Sequence, residues 1–276
     1  MKKKSIKLLC AALLVSMVGT SLISCGTNTE GGSTTISVSG STSVGPLMEK
    51  VAEKYEENNS NISIEINQVG SSAGIKDAIN GVSEIGMSSR ALKTDEESAV
   101  QATTIAYDGI AIITNNENPI KNITLEQIKD IYTGKITNWK DIEGGSDSPI
   151  VVVSREEGSG TRDAFQEIIG YESEELVGEA MISNANGAIK ETVAGNKNAI
   201  GFVSFEYLDE KVNVVNVEGI EPKAENVKSG EYKISRPFLL VTKEENLSEE
   251  GQNLIDYILS DEGQNIVKEN KLIPVK

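Results

Sequence analysis

Residues 36–55 read ISVSGSTSVGPLMEKVAEKY, and this stretch combines a short strand, a loop rich in glycine and hydroxyl groups, and a helix. Apolar residues alternate with serines in ISVSG, which is typical of a strand with one buried face. From Ser43 onward the apolar residues recur at helical spacing, and Pro46 suits a first helical turn. Strand, loop and helix in this order predict an α/β protein.

The loop of this first unit has glycines at the spacing of a nucleotide-binding P-loop, G-x-x-x-x-G, at Gly40 and Gly45. Pro46 and Leu47 occupy the positions where that motif needs Lys and then Ser or Thr. Without the lysine, no side chain of the loop reaches the terminal phosphates of a nucleotide. Hydroxyl groups at the start of a helix still offer hydrogen-bond donors to an anion.

The same order of elements recurs along the chain. ISIEI (62–66) runs into GSSAG, a strand ending near Met87 runs into Ser-Ser-Arg, and PIVVVS (149–154) runs into REEGSGT. Further strands are predicted at 110–114, 199–204, 212–217 and 238–242, and residues from 248 to about 270 are predicted to be mostly helical. Strands that alternate with helices predict an α/β fold with largely parallel sheets.

Four strand-to-helix loops share a composition rich in glycine, serine and threonine, with an arginine in two of them. They are residues 40–43, 70–74, 88–90 and 155–161. For any one loop, helix capping and turn formation are the simpler interpretation. In open α/β sheets, however, ligands bind at the carboxyl ends of strands, where helix N-termini present free N–H groups. The recurrence therefore indicates a shared site for a small tetrahedral oxyanion. Arg155 is either a surface cation or a bidentate partner for two oxyanion oxygens, and its place after the apolar run IVVV favours the second.

Composition excludes several functions. The formal net charge is −16 and aromatic residues make up 4% of the chain, which argues against a nucleic-acid partner. The sequence contains no histidine, so Ser-His-Asp and Cys-His catalysis and histidine-containing metal sites are excluded. Neither a metal nor a cofactor is expected. A length of 276 residues indicates two compact units.

The N-terminus reads MKKKSIKLLCAALLVSMVGTSLISC, a basic start followed by an apolar run and small residues, which is typical of an export signal. Residues 22–25, Leu-Ile-Ser-Cys, resemble the lipobox of bacterial lipoproteins. This resemblance implies a signal peptide at 1–24, lipidation of Cys25 and a flexible tether at 25–34. We therefore expect the protein on the outer face of the cell membrane, held by its lipid, and a transmembrane helix is the alternative.

Four motifs, GSTSVGP, GSSAG, IGMSSR and SREEGSGT, together with IYTGKITNWKDI (131–142), resemble the phosphate-binding lipoproteins of bacterial ABC importers. The resemblance implies a two-lobed periplasmic-binding-protein fold of the second type, each lobe a mainly parallel sheet flanked by helices. Lobe 1 would comprise 35–112 and 236–276, lobe 2 would comprise 113–235, and a two-strand hinge would join them. The implied function is capture of inorganic phosphate by a monomer and its delivery to permease subunits, without catalysis.

The resemblance also implies the residues that contact phosphate. These are Thr42, Ser43, Ser71, Arg155, Ser159, Gly160 (through its backbone N–H) and Thr161. Better-known members end the third motif with an Asp that accepts the phosphate proton, whereas this sequence has Ser89 there. A serine oxygen can accept as well as donate, so Ser89 is one candidate acceptor. Asp108 is a possible carboxylate acceptor, and for Glu157 a surface position is preferred.

Three alternatives remain from the sequence. The first is a binding protein for another tetrahedral oxyanion, sulfate or molybdate. An acceptor in the site would reject sulfate, because sulfate carries no proton near neutral pH and two acceptors would then face each other. The second is an exported hydrolase with Ser71 or Ser159 as nucleophile, which would have no histidine to activate it. A lipoprotein that keeps the fold without the ligand is a third class.

Overall fold

The computed structural model describes residues 33–276. The predicted signal peptide, Cys25 and all but the end of the predicted tether lie outside the described residues. The elements are, in chain order, β1 (Thr34–Gly40), α1 (Gly45–Asn58), β2 (Ile62–Gln68), α2 (Ser71–Asn80), β3 (Ile85–Ser88), α3 (Thr94–Glu97), β4 (Gln101–Asn115), β5 (Asn122–Ile123), α4 (Leu125–Tyr132), β6 (Val151–Arg155), α5 (Gly160–Ile169), β7 (Met181–Ser183), α6 (Asn186–Ala194), β8 (Ala199–Ser204), β9 (Val212–Val217), α7 (Ala224–Lys228), β10 (Ser235–Thr242), α8 (Glu249–Ile258), α9 (Asp261–Glu269) and β11 (Ile273–Pro274). Short 3-10 helices lie at Trp139–Asp141, Ser173–Glu175, Phe205–Tyr207 and Glu244–Asn246.

The first strand–loop–helix unit forms as the sequence predicts. β1 pairs in parallel with β2 on one side and with β3 on the other. α1 has Pro46 in its first turn and buries Leu47, Met48 and Val51, which recur at helical spacing. The helix therefore packs its apolar face on the sheet and leaves the loop before it at the carboxyl end of β1.

The described residues have two main hydrophobic cores. One draws its side chains from segments 36–106 and 238–272, and the other from segment 110–234. The chain thus crosses between the cores in β4 and returns in β10, and these two strands pair antiparallel. We call the two parts the first half and the second half. The predicted lobe boundaries lie close to these crossings, and independent movement of the two halves stays a prediction.

The α/β fold is confirmed, but the sheet is mixed rather than mainly parallel. Of the ten strand pairings in residues 33–276, five are parallel and five antiparallel. The antiparallel pairings all involve β4 or β10. One of these strands leaves the first half and the other re-enters it, so they run in opposite directions. The prediction of largely parallel sheets was wrong for this reason.

The other predicted elements mostly agree with the structure. β8 and β9 match the predicted strands residue for residue. The strand predicted at 110–114 is the end of the 15-residue β4, whose first part, QATT, carries no apolar alternation. The predicted C-terminal helix is two helices, because Ser260 caps α9 by accepting a hydrogen bond from Gly263 N–H. Among the described helices, none has the length and apolar character needed to cross a membrane.

Candidate anion-binding site

The four hydroxyl-rich loops meet where the first half faces the second half. Ser43 Oγ, in the loop before α1, lies 2.8 Å from Thr161 Oγ1 in the first turn of α5. Ser71 Oγ, at the start of α2, lies 3.2 Å from Ser89 Oγ, directly after β3. All four side chains are buried. Loops far apart in sequence therefore present their hydroxyl groups to one shared location.

Gly160 allows this close approach. A Cβ atom at Gly160 would collide with Ser71 Oγ and would lie 2.9 Å from Ser89 Oγ. The N-terminus of α5 can approach the first half this closely only because residue 160 has no side chain. The N–H groups of the first helical turn have no carbonyl partner within their own helix. The arrangement brings such N–H groups and two serine hydroxyls together.

Arg155 ends β6 and has only 1% of its surface exposed. Its Nε and one terminal nitrogen, Nη2, each donate to the Glu156 carboxylate at 2.8 Å, and Nη2 also donates to Thr42 Oγ1 at 3.0 Å. Its other terminal nitrogen, Nη1, is buried without a hydrogen-bond partner among residues 33–276. A buried donor without an acceptor costs free energy. An anion that accepted a hydrogen bond from Nη1 would remove this cost.

Asn186, the first residue of α6, fixes the direction of the hydrogen bond to Ser43. Its Oδ1 accepts from the Ser204 backbone N–H at 3.2 Å, and a backbone N–H can only donate. The amide nitrogen, Nδ2, must then face Ser43 Oγ, to which it donates at 2.8 Å. Ser43 Oγ therefore accepts from Asn186 and keeps its own hydrogen for Thr161 or for an anion.

Ser159 and Ser41 show the structural role that hydroxyl groups often take at helix starts. Ser159 Oγ caps α5 by accepting from the Arg162 backbone N–H at 3.3 Å. Ser41 Oγ accepts from the backbone N–H groups of Ser43 and Val44. The Ser159 hydroxyl can still donate its hydrogen. Ser41 shapes the loop that presents Thr42 and Ser43.

Further hydrogen bonds join the two halves around these residues. Tyr207 O–H donates to the Thr42 carbonyl at 3.1 Å, and Ser72 N–H donates to the Gly158 carbonyl at 3.2 Å. Burial, followed by the charge of Glu206, raises the pKa of Tyr207 to about 12, so this hydroxyl stays a donor at neutral pH. The halves are therefore in direct contact, and the site between them is closed to solvent.

Comparison with known proteins agrees with this geometry. Residues 26–262 match the PBP superfamily domain. The phosphate-binding protein PstS of Bacillus subtilis is 33% identical over 89% of this chain and 82% of its own length. PstS of Borreliella burgdorferi is 29% identical over 96% of this chain and 98% of its own length.

The chain belongs to the PstS family of phosphate-binding proteins.

Solved structures of similar proteins share this fold over most of the chain. A substrate-binding protein of Clostridium perfringens, solved with bound phosphate, is 60% identical with a TM-score of 0.86, over 88% of this chain and 100% of that one. An ABC-type phosphate transport receptor of Vibrio cholerae is 36% identical with a TM-score of 0.75, over 87% of this chain and 100% of that one. The PstS family is one of substrate-binding proteins and not an enzyme family.

Asp108, the carboxylate considered as a proton acceptor in this PstS family member, has other partners. One oxygen accepts from Ser204 Oγ at 3.0 Å and from Phe205 N–H at 3.2 Å. The other oxygen accepts from Arg236 Nη2 at 2.9 Å. Asp108 and Arg236 stand opposite each other on β4 and β10, so this buried ion pair ties the two crossing strands together. Asp108 reaches the site only indirectly, through Ser204 and Asn186.

Glu157 is exposed, in agreement with the surface position preferred from the sequence. The neighbouring Glu156 is instead the carboxylate that pairs with Arg155. The contacts of Glu156, Asn186 and Tyr207 in this candidate site were not predicted from the sequence. Only Asn186 has a local signal: it follows the short strand β7 and begins a helix, the same order of elements that marked the other loops. Residues 33–276 contain no group of carboxylates and thiols placed to hold a metal ion.

Proposed function

We propose that this PstS family member captures inorganic phosphate between its two halves and delivers it to the permease subunits of an ABC importer, without catalysing a reaction. The observation that carries the proposal is the buried Nη1 of Arg155, which lacks a hydrogen-bond partner among the described residues. The other terminal nitrogen of the same guanidinium donates to Thr42 Oγ1 in the first half. A guanidinium among hydroxyl groups matches the geometry of a tetrahedral oxyanion.

In the proposed complex, phosphate accepts hydrogen bonds from both halves. The hydroxyls of Thr42, Ser43 and Ser71 donate from the first half. Arg155, Ser159, Gly160 and Thr161 donate from the second half, with Gly160 using its backbone N–H. The positive end of the α5 dipole adds to the attraction. Because donors come from both sides, bound phosphate stabilises the closed arrangement, and closure excludes the water that would weaken each donor.

We propose Ser89 as the acceptor for the phosphate proton. Its own N–H donates to Ser71 Oγ at 3.1 Å, so the two serines are held in a fixed relation. A carboxylate would reject sulfate by leaving two acceptors in contact, whereas a hydroxyl group can turn and donate. The expected selectivity for phosphate over sulfate is therefore weaker than in members that have an aspartate at this position.

The position of the protein follows from the N-terminal sequence, which lies outside the described residues. We propose that Cys25 carries the lipid, that residues after it form a tether, and that the binding domain works as a monomer outside the cytoplasm. The net charge of −16 does not oppose anion binding, because salt screens surface charges over about 8 Å while the site donors act at contact distance.

Calorimetry on residues 26–276 tests the proposed ligand directly. Phosphate should bind with micromolar or tighter affinity, and sulfate and molybdate should bind more weakly. Tight binding of sulfate or molybdate, with phosphate weaker than millimolar, would move the assignment to another oxyanion. Release of product from a phosphate ester would point to a hydrolase and contradict the proposal.

A further inference from the structure

Arg90 is buried at the edge of the site and all of its N–H groups are in use. Its two terminal nitrogens donate to the Glu96 carboxylate at 2.7 and 2.8 Å, and they also donate to the Ala91 carbonyl and to Ser72 Oγ. Its Nε donates to Asp163 Oδ2 at 3.0 Å. An arginine has five N–H donors, so these contacts leave none for a bound anion.

The partners of Arg90 lie in different halves. Ser72, Ala91 and Glu96 belong to the first half, so they hold the guanidinium in place whether or not the halves are together. Asp163 belongs to the second half, in the first turn of α5. The contact between Arg90 and Asp163 therefore exists only when the halves are closed.

The Arg90–Asp163 pair is also adjacent to the proposed ligand contacts. Arg90 follows Ser89 in the chain, and Asp163 lies in the same helical turn as Gly160 and Thr161. A contact at this place holds the N-terminus of α5 against the third loop, where the site donors of both halves meet.

We propose that Arg90 and Asp163 form a closing ion pair that stabilises the closed arrangement and slows the release of bound phosphate. The proposal rests on the proposed function for the identity of the ligand. Both are positioning residues. All N–H donors of Arg90 are already used, and its positive charge is balanced by Glu96 and Asp163. Asp163 is itself an anion and offers no donor to phosphate.

The environment of the closing ion pair favours a measurable contribution. Arg90 is 4% exposed and the Asp163 side chain is 26% exposed, so the pair is partly shielded from salt and water. Burial alone would lower the pKa of Arg90, but the hydrogen bonds and charges of Glu96 and Asp163 outweigh it and raise that pKa. The guanidinium therefore remains charged at neutral pH.

Replacing Asp163 separates this role from a simple electrostatic effect. Asp163→Asn removes a negative charge next to an anion site, and by charge alone the variant should bind phosphate more tightly. The closing ion pair predicts the opposite: the dissociation constant should rise roughly tenfold, mainly through faster dissociation. Glu167→Gln is the matched control, because it removes the same charge from an exposed position of the same helix.

The experiment uses residues 26–276, which contain the whole described fold and no cysteine. Two introduced cysteines, one in each half, carry a donor and an acceptor dye that report closure by energy transfer. Calorimetry and stopped-flow mixing give the affinity for phosphate and its dissociation rate. Asp163→Asn should lower the closed fraction without ligand and speed dissociation, Glu167→Gln should change neither, and Asp163→Glu should restore part of both.

Equal or tighter binding by Asp163→Asn, with an unchanged dissociation rate and closed fraction, would overturn the proposal. If Asp163→Asn were too unstable to measure, Asp163→Glu takes its place: because the longer side chain restores only part of the contact, an unchanged dissociation rate and closed fraction in this variant would contradict the proposal as well. Absence of phosphate binding by the unchanged protein would count against the proposed function alone, because the energy transfer without ligand still reports the closing ion pair.

Discussion

Removal of the Arg155 side chain should abolish most of the affinity for phosphate. Arg155→Ala deletes the buried Nη1, with its two N–H donors, and the contact from Nη2 to Thr42. Two hydrogen bonds to a charged ligand contribute about 3 to 6 kcal/mol. The dissociation constant should therefore rise about 150-fold to 20,000-fold. Titration calorimetry measures the affinity of the tighter variants. For the weaker ones, a dye-labelled variant that competes for the same phosphate reports how much phosphate they bind.

Two further variants show which property of Arg155 matters. Arg155→Lys keeps a positive charge but loses the planar fork, so its loss of affinity should be intermediate. Arg155→Ala also frees the Glu156 carboxylate, which is 28% exposed and would repel the anion. Adding Glu156→Gln to Arg155→Ala should therefore recover roughly tenfold in affinity.

The control for Arg155→Ala is a measurement that shows the variant still has the native fold. Arg155 contributes no apolar side chain to either core, so circular dichroism should be unchanged, and any fall in melting temperature should be small beside the loss of affinity. A folded Arg155→Ala protein whose dissociation constant for phosphate lies within about threefold of that of the unchanged protein would refute the placement of Arg155 in the site. Such a change corresponds to a binding free-energy difference well under 1 kcal/mol.

Three other changes test further parts of the structure. Gly160→Ala places a methyl group against Ser71 Oγ, so closure and phosphate affinity should fall together in calorimetry and energy transfer, and unchanged affinity would contradict the contact. Asp108→Asn leaves the Arg236 guanidinium buried without its countercharge, so chemical denaturation should show a loss of about 3 to 5 kcal/mol, whereas a lost preference for phosphate over sulfate at unchanged stability would favour a direct acceptor role. Burial and the charge of Asp108 raise the pKa of Glu206 to about 8 from 4.5, so the folded state holds more protons between these values and stability should fall as pH rises through this window. Glu206→Gln should remove that dependence, worth up to about 5 kcal/mol, and an unchanged pH profile of the denaturation midpoint would contradict it.

The loops that build the site were recognisable in the sequence because their pattern is local. A strand followed by glycines, hydroxyl groups and a helix is written in consecutive residues, and backbone preferences act over the same short range. The loops that carry Thr42, Ser43, Ser71 and Thr161 could thus be recognised without knowledge of the fold, and the family resemblance implied that these residues contact phosphate. The structure brings these four together, and their contact with phosphate stays a prediction.

Asp108 has a partner that local reasoning could not supply. The sequence offered Asp108 as a possible acceptor for the phosphate proton, and this role stays a prediction. Its partner Arg236 lies 128 residues away in sequence, and nothing near either residue indicates the pairing. The mixed sheet was missed for a related reason, because strand direction depends on where the chain re-enters the first half and not on the residues of any single strand.

The sequence by itself determined the α/β class, the strand-to-helix loops and the kind of donors they carry, because these depend on the spacing of side chains along short segments. Only the tertiary structure decided which partners those groups have: Glu156 and Thr42 on Arg155, Asn186 on Ser43, and Asp163 on Arg90. Apart from the pair Arg155 and Glu156, which are neighbours in the chain, these contacts join residues of the two halves. Contacts between the halves form because closure brings together surfaces that are distant along the chain. The closed site excludes water, so each unpaired donor there costs free energy.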